Sequence, residues 1–426
     1  MSEAFKNQFR RRSKDFNRNC LLTFPILILF ILNLIRKSLQ VELNNFIKIL
    51  PLRTISKQTF SAARHKLLPE AFVELNRSLM QEFYTDNEFK TLFNRRIIGV
   101  DGSTLQLPEG EKIAEKYGVC TNQTIAIPMA KISYAYDVLN NITLDAIIAP
   151  FKASERTMAM QHVKNLALST SSAGIKDLYI HDRGYPSVAL FFFYLHMKKD
   201  FLMRCSSAFS LEMNEMIKQK CRDKIIKLSI KNLTLKQKKE LQNHVPNIDW
   251  NQIIQLRALV IPLNTGEQEL LITTLCDQEH FKYEEFANFY FMRWGVEENY
   301  KFYKVRVEIE NFSGKSPIAI EQDFHATIFT CNIRSMLATE AEEELKQQNS
   351  DKELKYEYKI NKNISAATLK DEIIKVLLSK DSNLEDFCNQ LKERMKLSMV
   401  PIRPGRHYTR CKKGNKKYPM NRRRSL

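Results

Sequence analysis

The chain has 426 residues, 44% of them hydrophobic, so a collapsed core is expected and wholesale disorder is excluded. Its 66 Lys and Arg against 48 Asp and Glu leave a formal charge of +18, which favours a polyanionic partner, either nucleic acid or an anionic membrane surface. The eight cysteines form no CxxC pair, and no Walker loop, GxGxxG or HExxH occurs, which argues against zinc ribbons, dense disulfide frameworks and nucleotide-cradling loops.

Residues 1 to about 92 read as helical. Cys20 to Ile35 is almost wholly apolar but is broken by Pro25 and Asn33. It falls short of the ~20 apolar residues that span a bilayer. The helical spacing continues past it, so a buried helix is the expectation, not a membrane anchor. Ser56 to Met80 mixes apolar positions with Lys and Arg, a pattern that small DNA-binding bundles share with ordinary helical caps. At Arg95 the character changes. Ile97 to Asp101 reads as a strand, followed by a Gly-Ser turn and a second extended piece. Ala130 to Leu139 and Ile142 to Ala149 read as two strands joined at Asn140-Asn141. Ser154 to Leu168 reads as a helix, Asp177 to Asp182 as a short strand, Pro186 to Met197 as an apolar helix and Phe201 to Cys205 as a further strand.

Beyond residue 207 comes a Lys-rich stretch, Lys218 to Lys239. Two strand-like runs follow, Ile253 to Leu263 and Glu267 to Leu275, joined around Thr265-Gly266. A long helix is expected from about Tyr283 to Val305, and another from about Ala319 to Leu337. Glu340 to Leu397 is charged and helical. The tail from Arg403 to Leu426 holds ten Lys or Arg and no acid, with Tyr408 and Tyr418 interleaved. Such a tail can neutralise phosphates and release counterions.

Two acids stand out because each ends an apolar strand: Asp101 after Ile-Ile-Gly-Val, and Asp182 after Tyr-Ile-His. A carboxylate at the end of a buried strand is costly unless it meets a cation. If the strands are neighbours, the two like charges repel, and a divalent metal removes the conflict. A third group lies in FANFYFMRWGVEENYKFYKV. At ~100° per residue, Tyr290, Arg293, Glu297 and Lys304 share one stripe about 60° wide, and Glu298 falls off it. Such a stripe suits a metal beside a phosphate, although Arg–Glu pairing on an exposed helix gives the same pattern.

The spacing Tyr290, Arg293, Glu297, Lys304 resembles the YREK signature of the insertion-sequence-4 family of DDE transposases. IIGVDGSTLQLP is similar to that family's block around its first Asp, and YIHDRGYPS to the block around its second. QTFSAARHKL resembles its N-terminal domain, and VPIRPGRHYTR its C-terminal end. The resemblance implies an α/β fold: a ribonuclease H-like catalytic core with a β-rich insertion, flanked by helical N-terminal and C-terminal regions. Its parts would be a DNA-binding region 1–92, core 93–206, insertion 207–278, core 279–345 with the YREK helix, and a C-terminal region 346–426 ending in the basic tail.

The same resemblance implies that Asp101, Asp182 and Glu297 hold two Mg²⁺ ions, for which Mn²⁺ may substitute. Tyr290, Arg293, Lys304 and Arg183 would contact DNA. The implied reaction is metal-dependent cleavage at terminal inverted repeats, then strand transfer into target DNA. The implied partners are the element ends, the target DNA and a second copy of the chain in a synaptic homodimer, with no membrane. The implied location is the bacterial cytoplasm, at the nucleoid. The alternatives are a DNA-binding ribonuclease H-like nuclease and a domesticated or inactive transposase.

Overall fold

The computed structural model describes residues 1–403, except 19, 51–52, 86–87, 122–125, 170–173, 264–266, 351, 353–354 and 379–380. The basic tail beyond Arg403 and the Thr265-Gly266 turn lie outside the described residues. In chain order the strands are β1 (Arg95–Gln106), β2 (Val119–Thr121), β3 (Ala126–Asp137), β4 (Ile142–Pro150), β5 (Lys176–His181), β6 (Asp200–Cys205), β7 (Asp223–Ser229), β8 (Ile253–Pro262), β9 (Gln268–Thr273), β10 (Tyr358–Ile360) and β11 (Met399–Pro401).

The chain divides into two compact units, each assembled from separated stretches. One joins Leu79–Thr104 to Lys131–Tyr300 and carries a mixed sheet. In that sheet β4 pairs with β3, and the order continues β3-β1-β5-β6-β9-β8-β7. The pairs β1–β5 and β5–β6 are parallel, whereas β6–β9, β9–β8 and β8–β7 are antiparallel. The central strands are apolar on both faces, as parallel strands covered on both sides require. Ile97, Ile98, Val100, Leu178, Tyr179 and Ile180 are all buried. Ile97, Leu178 and Ile180 pack with Leu202, Leu271 and the Phe286, Phe289 and Tyr290 side chains, so the Phe286–Phe291 helix covers that face.

Where β1 and β5 begin, Arg96 is level with Asp177. The guanidinium, 1% exposed, bonds Asp177 at 2.7 Å, and Lys199 takes the other carboxylate oxygen at 2.7 Å. These ion pairs pin the parallel register at the start of the strands.

Three local expectations change. The Gly102-Ser103 turn does not form: β1 runs unbroken through it, and the Asp101 carbonyl accepts from Tyr300 Oη at 2.7 Å and from Ser133 Oγ at 3.1 Å. The Lys-rich stretch contains a strand, β7, whose seven-residue ladder with β8 is enough to hold it despite its charge. The strands of 207–278 thereby extend the same sheet past β6. The long helix expected from Tyr283 to Val305 is segmented. It comprises a 3₁₀ turn Tyr283–Glu285, α-helices Phe286–Phe291 and Trp294–Lys301, and a π turn Phe302–Arg306. At the Met292-Arg293 break the backbone tightens to i→i+3 bonds, Arg293 N–H to Tyr290 at 3.1 Å and Gly295 N–H to Met292 at 2.9 Å.

The other unit joins Met1–Ser78, Leu105–Ala130 and the described residues from Lys301 onward. It is mainly helical, around the 32-residue helix Pro317–Gln348, whose Ser316 cap accepts the Ala319 N–H. The apolar Cys20 to Ile35 run supplies the nine-residue helix Phe24–Leu32, with Leu27, Ile28 and Phe30 fully buried and Phe30 edge-on to Phe46 and Phe60. Among the described residues no helix is long and apolar enough to cross a membrane. In the segment that mixes apolar and basic residues, Arg64 is 2% exposed and is committed to Asp323, Ser313 and Gln322 at 2.8–2.9 Å.

Candidate active site

Successive strand residues point to opposite faces. Ile97, Gly99 and Asp101 therefore share one face of β1, the face covered by the Phe286–Phe291 helix. Gly99 is level with Ile180 of β5. Continuing that register two residues brings Asp101 level with Asp182, which directly follows the strand. Neighbouring strands lie ~4.8 Å apart, so two carboxylates leave the sheet side by side. Asp182 Oδ1 accepts the Gly184 N–H at 2.8 Å, and Asp101 Oδ1 accepts the Gly102 N–H at 2.8 Å.

The third acid arrives on the Trp294–Lys301 helix. Val296 Cβ lies 3.2 Å from where a Cβ on Gly99 would stand, and Val138 Cγ1 lies 3.2 Å from the corresponding point on Gly295. Glycine at both places lets the helix settle close to β1, with Glu297 one residue beyond the contact. Glu297 is half-buried and Glu298 exposed. Arg293 Nη1 bonds Glu297 Oε1 at 2.7 Å, and its guanidinium lies over the Tyr290 and Trp294 rings.

Electrostatics tie the group together. Burial and, next, the negative charge of Asp182 push the Asp101 carboxyl up to about 7; Glu297 adds to the rise, while the Gly102 N–H and Arg293 oppose it. Burial pushes the Tyr290 hydroxyl up to about 12, against the pull of Arg293. That hydroxyl and Arg293 Nε are buried without a hydrogen-bond partner among the described residues.

The structure thus gathers Asp101, Asp182, Glu297, Arg293 and Tyr290 in one unit. Arg183 is exposed beside Asp182 and donates to Ser206 Oγ at 3.2 Å. Lys304 is different: it stands in the π turn, half-buried, among the residues of the other unit. A π turn closes i→i+5 bonds, so the regular 100° projection that set Lys304 on the stripe does not carry through to it. Arg293 is 6% exposed, and its pairing with Glu297 is the i,i+4 contact that the spacing also allowed.

Several neighbours of the acids carry no mark in the sequence. Ser133 and Tyr300 hold the Asp101 carbonyl. Ser133 Oγ is in turn 2.9 Å from His162 Nε2, and His162 Nδ1 is 2.7 Å from Asp145. Glu155 packs against Gly102, and Tyr185 is buried nearby. Only the glycine directly after Asp101 hinted at such an approach.

A family model described as Transposase DDE domain matches residues 93–333. The chain belongs to this family. The matched span holds all three acids, and DDE transposase domains generally use divalent metal ions. Membership implies a transposase or endonuclease activity in general. No curated protein matches the sequence. Among solved structures, this DDE transposase is similar to a piggyBac transposase in a synaptic complex with hairpin DNA, at 11% identity and a TM-score of 0.38, over 90% of this chain and 76% of that one. A likeness so remote carries no weight for the site. Among the described residues no three His, Cys, Asp or Glu side chains converge closely enough to cage a metal as they stand. The donor set nonetheless fits a hard divalent cation: three carboxylates whose mutual repulsion loads Asp101, with Glu297 meanwhile paired to Arg293.

Proposed function

We propose that this chain is a transposase of the insertion-sequence-4 type, cutting DNA at the terminal inverted repeats of its element and joining the freed ends to target DNA. The observation that carries the reading is the level placement of Asp101 and Asp182 on adjacent parallel strands, with the Glu297 helix seated on Gly99 of the same face. Residues 93–206 and 279–345 form the catalytic core on this reading, 207–278 its insertion, and 1–92 and 346–426 the flanking helical regions. A synaptic homodimer acting at the bacterial nucleoid belongs to the same proposal.

Asp101, Asp182 and Glu297 would hold two Mg²⁺ ions, or Mn²⁺ in their place. Bound there, the ions supply Lewis acidity that makes water or a DNA 3′-hydroxyl a nucleophile and steadies the leaving oxygen. The chain's own groups prepare that site. Tyr300 and Ser133 fix the Asp101 carbonyl, and Gly102 and Gly184 orient the two aspartates. Arg293 holds Glu297 and shields it from the aspartates until cation and DNA arrive. Arg183, exposed beside Asp182, is placed to meet a phosphate, and Tyr290 and Lys304 complete the proposed DNA contacts.

The test is cleavage of a labelled DNA carrying the element's inverted repeat, with Mg²⁺. Asp101→Ala, Asp182→Ala and Glu297→Ala should each fall to background while DNA binding survives. Full cleavage by Glu297→Ala removes that residue from the site. Equal cutting of unrelated DNA, with no joined product, makes the chain a general nuclease.

A further inference from the structure

A further carboxylate, Glu155, lies against the residue that follows Asp101. A Cβ on Gly102 would stand 2.5 Å from Glu155 Cδ and 2.7 Å from its Oε1, so the Glu155 side chain lies directly against Gly102. The same Gly102 donates its N–H to Asp101. Gly102 is therefore touched by the Asp101 carboxylate at its N–H and by the Glu155 side chain at its α-carbon. Glu155 is not needed as a cap for the Glu155–Ser169 helix, because the Ser154 hydroxyl already accepts the Thr157 N–H at 3.3 Å. Its oxygen instead meets Lys131 Nζ at 2.8 Å.

A second group lies within electrostatic reach of these acids. Tyr185 is fully buried, and among the described residues its hydroxyl has no hydrogen-bond partner. The charges of Asp101, Glu155 and Asp182 all bear on it. Leaving a buried hydroxyl unsatisfied is costly, and in a folded protein such a group calls for an explanation.

We propose that Glu155 is a fourth carboxylate of the cation site, held by Lys131 until a divalent cation replaces the ammonium, with the Tyr185 hydroxyl aimed at the oxygens around that cation. The inference rests on the reading of Asp101 and Asp182 as cation ligands. A plain ion pair at a helix start would account for the Lys131–Glu155 contact. It would not account for the buried Tyr185 hydroxyl left unpartnered among the described residues, on which the charges of Asp101, Glu155 and Asp182 bear.

The experiment titrates Mn²⁺ alone into the full chain by calorimetry, with thermal melting to verify folding. Glu155→Gln should weaken Mn²⁺ binding by at least about tenfold, the scale seen for groups supporting metal sites. Lys131→Met, which frees the acid and removes a like charge, should tighten it severalfold. Unchanged affinity in folded Glu155→Gln, or weaker affinity in Lys131→Met, overturns the proposal. If Glu155→Gln fails to fold, the sign of the Lys131→Met effect decides alone. Asp101→Asn separates the two levels. Its loss of binding beside an unaffected Glu155→Gln removes Glu155 only, whereas parental affinity in Asp101→Asn removes the site reading beneath it.

Discussion

Asp101 is loaded by burial, by Asp182 and by Glu297, and the sum raises its carboxyl to about 7. An acid whose folded value stands above its unfolded value of ~3.9 makes the folded chain hold the extra proton between about pH 4 and pH 7. Stability from this group is therefore lost as pH rises through that window. In metal-free chain, treated with chelator, Asp101→Asn should remove this slope while still accepting the Gly102 N–H. Urea unfolding should find the variant more stable than the parent at pH 8, by at most about 4 kcal/mol at ~1.4 kcal/mol per unit. The two should converge near pH 4. A parent as stable as the variant at pH 8 would mean that the like charges cost nothing there. Asp177 shows the opposite case, a carboxylate held between Arg96 and Lys199. Asp177→Ala strands a buried guanidinium and should cost about 3–5 kcal/mol in the same unfolding measurement.

At the scale of elements, the strands and helices around the acids were legible because their apolar runs are short and bounded by turn residues. The turn at Asn140-Asn141 is an example, where Asn141 adopts φ 57°. What misled was chemistry that sequence shows without context. Gly102 and Ser103 look like a turn until Tyr300 and Ser133, distant in the chain, hold the Asp101 carbonyl and keep β1 extended. Lys224 and Lys227 disguise β7, whose ladder with β8 outweighs their charge. The stripe from Tyr290 to Glu297 falls on two helical segments, and α periodicity alone gives no sign of the π turn that follows. How the Glu297 helix seats on the sheet hangs on absent side chains. Gly99→Val would drive a branched side chain into Val296, already 3.2 Å from the added Cβ. Overpacking of this kind costs about 1–3 kcal/mol. Val296→Ala should recover part of that loss in a double-mutant cycle read by thermal unfolding. Simple additivity of the two changes would show that helix and strand do not touch there.

For the whole molecule, the surplus of +18 says more about partners than about architecture. Part of the basic complement is spent internally. Arg64, Arg96 and Arg257 are all buried in ion pairs. The cations free to meet DNA must come from elsewhere, and the sequence concentrates them in the acid-free tail after residue 403. Each phosphate neutralised contributes ~0.9 to the slope of log K against log salt on duplex DNA. Replacing Lys412, Lys413, Lys416, Lys417, Arg422, Arg423 and Arg424 by Ser should therefore flatten that slope by up to about six. Thermal melting of the variant checks that it is folded. Fluorescence anisotropy on one random duplex between about 50 and 200 mM salt, the range where such contacts cost most affinity, would measure both slopes. An equal slope in parent and variant would place the DNA contacts within the two folded units and leave the tail without a part in binding.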